Sequence, residues 1–356
     1  MSEDHLDPST VSPEFVKEGA DWLAVFNPRV PRVMDVKLKC KFVLNKVICG
    51  VRFSPDGKLL AVGLDGAVHL YDVVAEEKIA LALEQVAPEG TRDYVRCVAF
   101  SVNGKFLAAG SEDKLVRVWD LQTAQLLHTL SGHKREVYAL EFTPDSGTLI
   151  SGSGDRTIRL WDLSIPPGTE QSGHTLAVEE DLSNSNAGIM ALAVAPDGVH
   201  VASGALDGTV RVWNTAANEG KGAAIARWQA HAQGVYSIDF ILEGAGLVTG
   251  SLDRTLKRWQ LGILNGGGDN SCLKTLAGHK DCVLATATLQ EGQMLRAASA
   301  SRDGSVRLWD LKTGDTLFSI QGHRNTVTAV DLSKDGNMLV SGSGDGEARI
   351  WTYTIY

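Results

Sequence analysis

The chain has 356 residues and a formal net charge of −9. This acidic balance argues against naked nucleic acid and anionic membrane surfaces as main partners, because both are bound through basic surfaces. No apolar run approaches the ~20 residues of a membrane span, and the acidic N-terminus lacks the apolar core of a secretory signal. The five cysteines form no C-x-x-C pair, so we expect free thiols in a reducing compartment, with no metal and no cofactor.

The N-terminal part of the chain divides into two segments before the repeats begin. Residues 1–20 are polar and contain two prolines, so they are predicted to be a flexible lead. Residues 21–44 form a lead-in segment in which two X-Pro steps force an extended path. From Val33 onward apolar and polar residues alternate, which predicts a strand.

Residues 45–356 consist of seven copies of one repeat. In the stretch Gly132 to Asp162, three short strands are separated by turn residues, and an aromatic residue ends the third strand six residues after an Asp. The copies are spaced in and slightly above the ~40–45 residues typical of one propeller blade. The seven aromatic residues are Tyr71, Trp119, Trp161, Trp213, Trp259, Trp309 and Trp351.

The dipeptides Gly132-His133 and Trp161-Asp162 mark the start and end of a WD repeat, so the chain resembles that family. The resemblance implies an all-β fold, a seven-bladed β-propeller of four-stranded blades in which residues 45–356 form one domain. The chain ends soon after Trp351, before blade seven can form a fourth strand. We expect the strand near residues 33–42 to supply it and close the ring, which removes an open sheet edge.

Four repeats share a His before the first strand and a Ser or Thr four residues before the repeat Asp. The four sets are His133, Ser151, Asp155, Trp161; His231, Thr249, Asp253, Trp259; His279, Ser299, Asp303, Trp309; and His323, Ser341, Asp345, Trp351. Such residues also make catalytic triads, but four copies favour a structural clamp, and no nucleotide-binding or hydrolase motif occurs, so the chain is not predicted to be an enzyme. The WD resemblance implies hydrogen bonds running from Asp through His and the hydroxyl to the Trp indole.

Repeats one, two and four lack the His, so their turns are expected to be less firmly held. Five repeats also carry an Arg two residues before the aromatic residue, which we interpret as a solvated cross-strand partner. These residues are Arg117, Arg159, Arg211, Arg307 and Arg349.

The informative positions are those that the fold does not need. The first strand of each propeller blade lines the central channel, and repeat alignment places one residue per blade at its entrance: Cys49, Arg96, Tyr138, Met190, Tyr236, Leu284 and Thr328. A second set lies just before the repeat Asp: Leu64, Glu112, Gly154, Leu206, Leu252, Arg302 and Gly344. Apolar and aromatic residues converging on one rim predict a partner-binding site. The alternative is that they are ordinary, partly buried rim residues.

The lead-in segment is more specific than the repeats. Asp21-Trp22 and the stretch Asn27 to Leu38, with Tyr94 to Phe100 and Gly110 to Asp120, resemble fungal Tup-type transcriptional corepressors over residues 21–356. The resemblance implies a nuclear domain that docks sequence-specific DNA-binding repressors, or their short docking peptides, on its top face. With Met190 added from the entrance set, the predicted partner-binding residues are Cys49, Tyr94, Cys97, Glu112, Tyr138, Met190, Tyr236, Leu284, Arg302 and Asn325. Cys97 and Arg302 depart from the residues commoner in that family.

The same family carries an N-terminal coiled coil that tetramerises and holds a tetratricopeptide-repeat partner, followed by a histone-contacting region. Neither segment is recognisable in residues 1–20, so the chain is expected to correspond to the C-terminal domain, with both contacts made by regions outside it. Two alternatives stay open, a ubiquitin-ligase substrate receptor and a signalling scaffold. A phosphopeptide receptor would use rim arginines, for which Arg96, Arg302 and Arg324 are candidates.

Overall fold

The computed structural model describes residues 6–79, 93–169, 173–177, 187–216, 224–241, 244–262, 264, 269–292 and 294–356. Within these ranges the chain forms β-strands and one short 3-10 helix, Pro13–Phe15, with no α-helix. The strands before the first repeat are β1 (Val16–Glu18), β2 (Leu23–Phe26) and β3 (Met34–Val43).

The first three blades follow in chain order. Blade one contains β4 (Gly50–Phe53), β5 (Leu59–Gly63), β6 (Val68–Asp72) and β7 (Glu77–Ile79). Blade two contains β8 (Val95–Phe100), β9 (Phe106–Ser111), β10 (Val116–Asp120) and β11 (Gln125–Leu130). Blade three contains β12 (Val137–Phe142), β13 (Thr148–Ser153), β14 (Thr157–Asp162) and β15 (His174–Ala177).

The remaining blades complete the ring. Blade four contains β16 (Ile189–Val194), β17 (His200–Ala205), β18 (Thr209–Asn214) and β19 (Ala224–Gln229). Blade five contains β20 (Val235–Ile241), β21 (Gly246–Ser251), β22 (Thr255–Gln260) and β23 (Ser271–Ala277). Blade six contains β24 (Val283–Glu291), β25 (Met294–Ser301), β26 (Ser305–Asp310) and β27 (Thr316–Gln321). Blade seven contains β28 (Val327–Leu332), β29 (Met338–Ser343) and β30 (Glu347–Ile355), with β3 as its fourth strand.

Neighbouring strands within each blade pair antiparallel, and the first strands of successive blades contact each other around the central channel. Adjacent blades approach closely because the second strand often carries a glycine. A Cβ placed at Gly152 would lie 2.7 Å from Cγ2 of Ile189, and one at Gly204 would lie 2.5 Å from Cγ1 of Val235. The β-branched residue that opens one blade therefore packs directly on the backbone of the blade before it.

The ring closes as the sequence predicts. Strand β3 pairs antiparallel with β30 from Met34 opposite Ile355 to Val43 opposite Glu347. The N-terminal and C-terminal ends of the chain thus share one sheet, so blade seven has no missing strand. The aromatic ring of Phe42 on β3 stacks on Tyr71 of blade one at 4.2 Å between centroids. The closing strand therefore also packs against the neighbouring blade.

The N-terminal residues do more than close the ring. Strands β1 and β2 add to the outer edge of blade six, since β2 pairs with β27 and β1 pairs with β2. Phe26 packs against Phe318, and Lys17 forms an ion pair with Asp35 at 2.6 Å. The expectation of a flexible lead over residues 1–20 is therefore corrected for Val16–Glu18, because backbone pairing with β2 fixes it.

The repeated arginines also differ from the sequence interpretation. Arg211, Arg307 and Arg349 are buried rather than solvated. The guanidinium of Arg349 reaches Oδ2 of Asp21 at 3.0 Å and Oε2 of Glu347 at 2.7 Å. The lead-in segment is thereby held against blade seven.

Candidate functional site

The first strand of blades two to seven carries a β-bulge at its second residue. In blade three, Val137 pairs with Ser153 and Ala139 with Gly152, which leaves Tyr138 unpaired between them. A bulge re-aims the side chain of the extra residue. The bulged residues are Arg96, Tyr138, Met190, Tyr236, Leu284 and Thr328. They are six of the seven entrance residues that the repeat alignment predicts. Each is only partly buried, whereas the residue before it in the strand is buried.

These residues converge on one cavity of about 150 Å³ in the central channel, which we call the channel mouth. Six of the ten predicted partner-binding residues line it: Cys49, Cys97, Tyr138, Met190, Tyr236 and Leu284. A cavity of this size holds an organic side chain rather than water alone. Burial raises the pKa of Tyr138 and of Tyr236, so both phenols stay neutral and offer apolar rings with a hydroxyl at the tip.

On the blade-two side, the channel mouth has a polar edge built around Arg96. Nε of Arg96 donates to Oε1 of Glu112 at 2.9 Å, and the guanidinium carbon lies 5.0 Å from the centroid of the Tyr94 ring. Its Nη1 lies 3.9 Å from Sγ of Cys49. Because Arg96 lines the cavity, it ties the predicted residues Tyr94 and Glu112 to the same site.

The other two predicted residues lie on the rim, outside the cavity lining. Arg302 is exposed, with its Nε 3.8 Å from Oδ2 of Asp281. Asn325 is also exposed, and its Oδ1 accepts a hydrogen bond from the N–H of Thr326 at 2.8 Å. Leu64, from the second predicted set, is fully buried between blades seven and one, so it is a core residue and not part of a surface.

All four predicted clamp sets form continuous hydrogen-bond chains on their blades. In blade three, Nδ1 of His133 donates to Oδ2 of Asp155 at 3.0 Å, and Nε2 accepts from Oγ of Ser151 at 2.7 Å. The indole N–H of Trp161 donates to the same Oγ at 2.8 Å. Blades five, six and seven repeat this geometry within a few tenths of an ångström. Each polar side-chain group of these four hydrogen-bonded clamps has a partner, which is the condition for a buried network to stabilise a fold.

The clamp aspartates are held in their ionised form. Burial alone would raise the pKa of Asp155, but hydrogen bonds from His133, Thr157 and the backbone N–H of Lys134 outweigh it, and the pKa lies well below its usual range. The clamp aspartates of blades five, six and seven shift in the same direction. Their free energy of ionisation is therefore coupled to folding.

Blades two and four hold their turns differently. In blade two, Nη2 of Arg117 reaches Oδ2 of Asp113 at 2.5 Å, so an ion pair stands where other blades use His. In blade four, the indole of Trp213 still donates to Oγ of Ser203 at 2.8 Å. The hydroxyl of Ser203 thus has one of the two partners that Ser151 has in blade three.

Sequence reasoning missed a set of charged residues below the channel mouth. Nη2 of Arg52 lies 2.8 Å from Oε1 of Glu141, and its Nη1 lies 3.4 Å from Oδ1 of Asp331. Asp239 lines the same cavity as Arg52 and Glu141. Each of these four charged residues lies three positions after the entrance residue of its blade. The repeat alignment that predicts the entrance residues therefore also identifies these four.

Two kinds of site find no support in the described part of the chain. Within those residues, no three His, Cys, Asp or Glu side chains are grouped so that they could hold a metal ion. The same residues include no helix with the length and apolarity to cross a membrane.

The fold and its clamps define a class of protein. The family description "IFT122 first beta-propeller" matches residues 47–262, more than half of the chain, and "WD domain, G-beta repeat" matches residues 270–310 and 314–352. The chain belongs to the WD-repeat β-propellers.

Two relatives match almost the whole chain. It is 39% identical over 360 residues to "Transcriptional repressor rco-1" of Neurospora crassa, covering 98% of this chain and 57% of that protein. It is 33% identical over 413 residues to "General transcriptional corepressor TUP1" of Saccharomyces cerevisiae, covering 98% of this chain and 56% of that protein. The chain thus spans about half the length of these relatives.

Proposed function

We propose that this chain is the protein-interaction domain of a nuclear transcriptional corepressor and that it docks DNA-binding repressors at the channel mouth. One observation carries the proposal: six blades each bulge one residue into a single cavity, and four of these residues are apolar or aromatic. The relatives that match nearly the whole chain are named as a transcriptional repressor and a corepressor, which supports the same role.

The channel mouth has the composition of a hot spot for a short peptide. Tyr138 and Tyr236 supply large, rigid contact area, and binding energy at interfaces concentrates in such aromatic anchors. The Arg96–Glu112 pair adds polar groups at the edge. Exposed Arg302 and Asn325 extend the docking surface outward along the rim. The tetratricopeptide-repeat and histone contacts of such a corepressor are assigned to regions outside this chain.

A phosphopeptide receptor fits the channel mouth less well. Recognition of a phosphate needs arginines that are free to form charge-assisted hydrogen bonds. Arg96 already donates to Glu112, and Arg302 lies beside Asp281. A phosphate in the cavity would therefore have to displace Glu112 from Arg96.

Titration with a repressor segment tests the proposal. A panel of sequence-specific DNA-binding repressors is screened for binding to the chain, and the shortest binding segment is labelled and titrated against variants. Tyr138→Ala and Tyr236→Ala are each expected to weaken binding by ~1–3 kcal/mol, because each removes an aromatic anchor. Their melting temperatures should stay close to that of the wild type, since both side chains stand at bulges and are only partly buried.

The control is Tyr356→Ala, which removes a tyrosine that is 78% exposed at the C-terminus, just beyond β30. This variant is expected to bind the segment with wild-type affinity. Equal affinity for all three variants would remove the channel mouth as the docking site. If no DNA-binding repressor of the panel binds, while ubiquitin-ligase substrates or signalling proteins do, one of the scaffold roles replaces the corepressor role.

A further inference from the structure

The charged residues below the channel mouth follow an alternating pattern around the ring. At the third position after each entrance residue, blades one, three, five and seven carry a charge and blades two, four and six carry alanine. In blade order the seven residues are Arg52, Ala99, Glu141, Ala193, Asp239, Ala287 and Asp331. The three alanines are buried and carry no charge. We call this ring the channel floor.

The channel floor contains more negative than positive charge. Arg52 is its one cation, and it bonds to Glu141 at 2.8 Å and to Asp331 at 3.4 Å. Asp239 receives a hydrogen bond from Oγ1 of Thr286 at 3.0 Å, and within the described residues it has no ionic partner. Burial raises its pKa to about 7, although the nearby charge of Arg52 partly offsets this shift, as expected for a carboxylate that has lost water without a counter-charge in direct contact.

The channel floor and the channel mouth belong to one continuous cavity. Tyr138 and Tyr236 line its upper part, and Glu141 and Asp239 line its lower part. An aromatic wall above a carboxylate is complementary to a side chain with a long apolar stem and a cationic head, because tyrosine faces also attract cations. Lysine and arginine have this construction.

We propose that the docked partner segment inserts a basic side chain, lysine or arginine, past Tyr138 and Tyr236 so that its cationic head lies at Asp239 and Glu141. This inference rests on the proposed function and specifies the chemistry of the partner. The head adds positive charge to a ring in which one arginine faces three carboxyl groups, and a buried charge is tolerated when it is paired. Arg96 does not repel the incoming cation, because Glu112 neutralises it at the edge of the mouth.

A display library of random short peptides provides the probe. Peptides are selected on the wild-type chain and counter-selected on Tyr138→Ala, so that only ligands of the channel mouth remain. A lysine or arginine is expected at one position of the selected peptides, flanked by apolar residues. Replacing that residue by norleucine keeps the stem and removes the charge, and it is expected to weaken binding to the wild-type chain about tenfold.

A double-mutant cycle then locates the charge. Asp239→Asn keeps the shape of the side chain and is expected to weaken the basic peptide about tenfold while leaving the norleucine peptide unchanged. The matched control is Asp315→Asn, an exposed aspartate in the turn before β27, which should bind both peptides as the wild type does. If Asp239→Asn folds poorly, comparing the basic peptide with its norleucine analogue on the wild-type chain still tests whether the positive charge contributes to binding.

The outcomes separate this inference from the proposed function. Peptides that depend on Tyr138 but contain no basic residue, or that bind equally well with norleucine, overturn the inserted cation and leave the docking site in place. Equal loss of both peptides on Asp239→Asn overturns it too. If no selected peptide depends on Tyr138, the docking site itself is wrong, and the inference falls with it.

Discussion

The clamps and the channel mouth are both repeated around the ring, but they are built in opposite ways. Each clamp uses the same residue types, buries them and satisfies every polar atom, as in the His323 set. The channel mouth uses a different residue in nearly every blade, at a bulge, and leaves each one partly exposed. Where blades agree, the residue serves the fold; where they differ at one aligned position, the residue is free to serve a partner.

This contrast predicts a division of labour between stability and binding. Changes in the clamps or in the closing strand should lower the free energy of unfolding without moving the docking site. Changes in the channel mouth should lower affinity at nearly constant stability, as the tyrosine titration above examines.

The largest effect is expected from deleting residues 1–44. The deletion removes β3 and the β1–β2 hairpin, so blade seven loses its fourth strand and exposes an open edge. The variant should aggregate and melt far below the parent in a thermal scan. Deleting residues 1–5 is the control, because it keeps all three strands and the buried side chain of Leu6, and this variant should melt near the parent. A 1–44 deletion that melts within a degree or two of the parent would show that β3 does not close the ring.

A matched pair of serines measures what the His adds to a blade. Ser341 bonds to both His323 and Trp351, whereas Ser203 bonds to Trp213 without a His. Ser341→Ala leaves two buried groups without a partner and should lower the free energy of unfolding by ~1–3 kcal/mol. Ser203→Ala leaves one and should cost about half as much in a urea titration. Equal losses would mean that the His is dispensable to the clamp.

A smaller, pH-dependent effect follows from the clamp aspartates. Burial alone would raise the pKa of Asp345. Hydrogen bonds from His323 and from the backbone N–H of Arg324 outweigh burial and lower this pKa in the folded chain. Because the unfolded value is ~3.9, the stabilisation is complete above pH ~4 and decreases as pH falls toward the folded pKa. The stability gap between wild type and Asp345→Asn should therefore shrink between pH 6 and pH 3 in parallel denaturant titrations. A gap that widens at pH 3 would contradict the direction of the shift.

Much of this architecture is readable from the sequence, and the reasons are specific. The seven aromatic positions predict the blades, and the apolar–polar alternation from Val33 onward predicts the strand that completes blade seven. The channel-mouth residues follow from the same alignment. The β1–β2 hairpin could not be predicted, since its pairing with β27 is a tertiary contact with no repeat to signal it. Asp239 was overlooked because only its position relative to the bulged Tyr236 directs it into the channel.

The burial of Arg211 and Arg349 shows that the apolar–polar alternation of a strand does not by itself predict which polar side chains are exposed. Alternation places these side chains on one face of the third strand, but it does not tell whether another blade or the lead-in segment covers that face. In blade seven, Asp21 covers it and pairs with Arg349. A charged residue at such a position can therefore be buried by a segment outside its own blade.

Photo-crosslinking from the channel mouth tests most directly whether partners dock there. Tyr236 is replaced by p-benzoylphenylalanine, the variant is mixed with the mapped repressor segment, and the same replacement at Tyr356 is irradiated in parallel. Docking at the channel mouth predicts a crosslink from position 236 that excess unlabelled segment suppresses, and none from position 356. A crosslink from 356 alone, with none from 236 despite binding, would place the partner elsewhere on the ring and contradict the central claim.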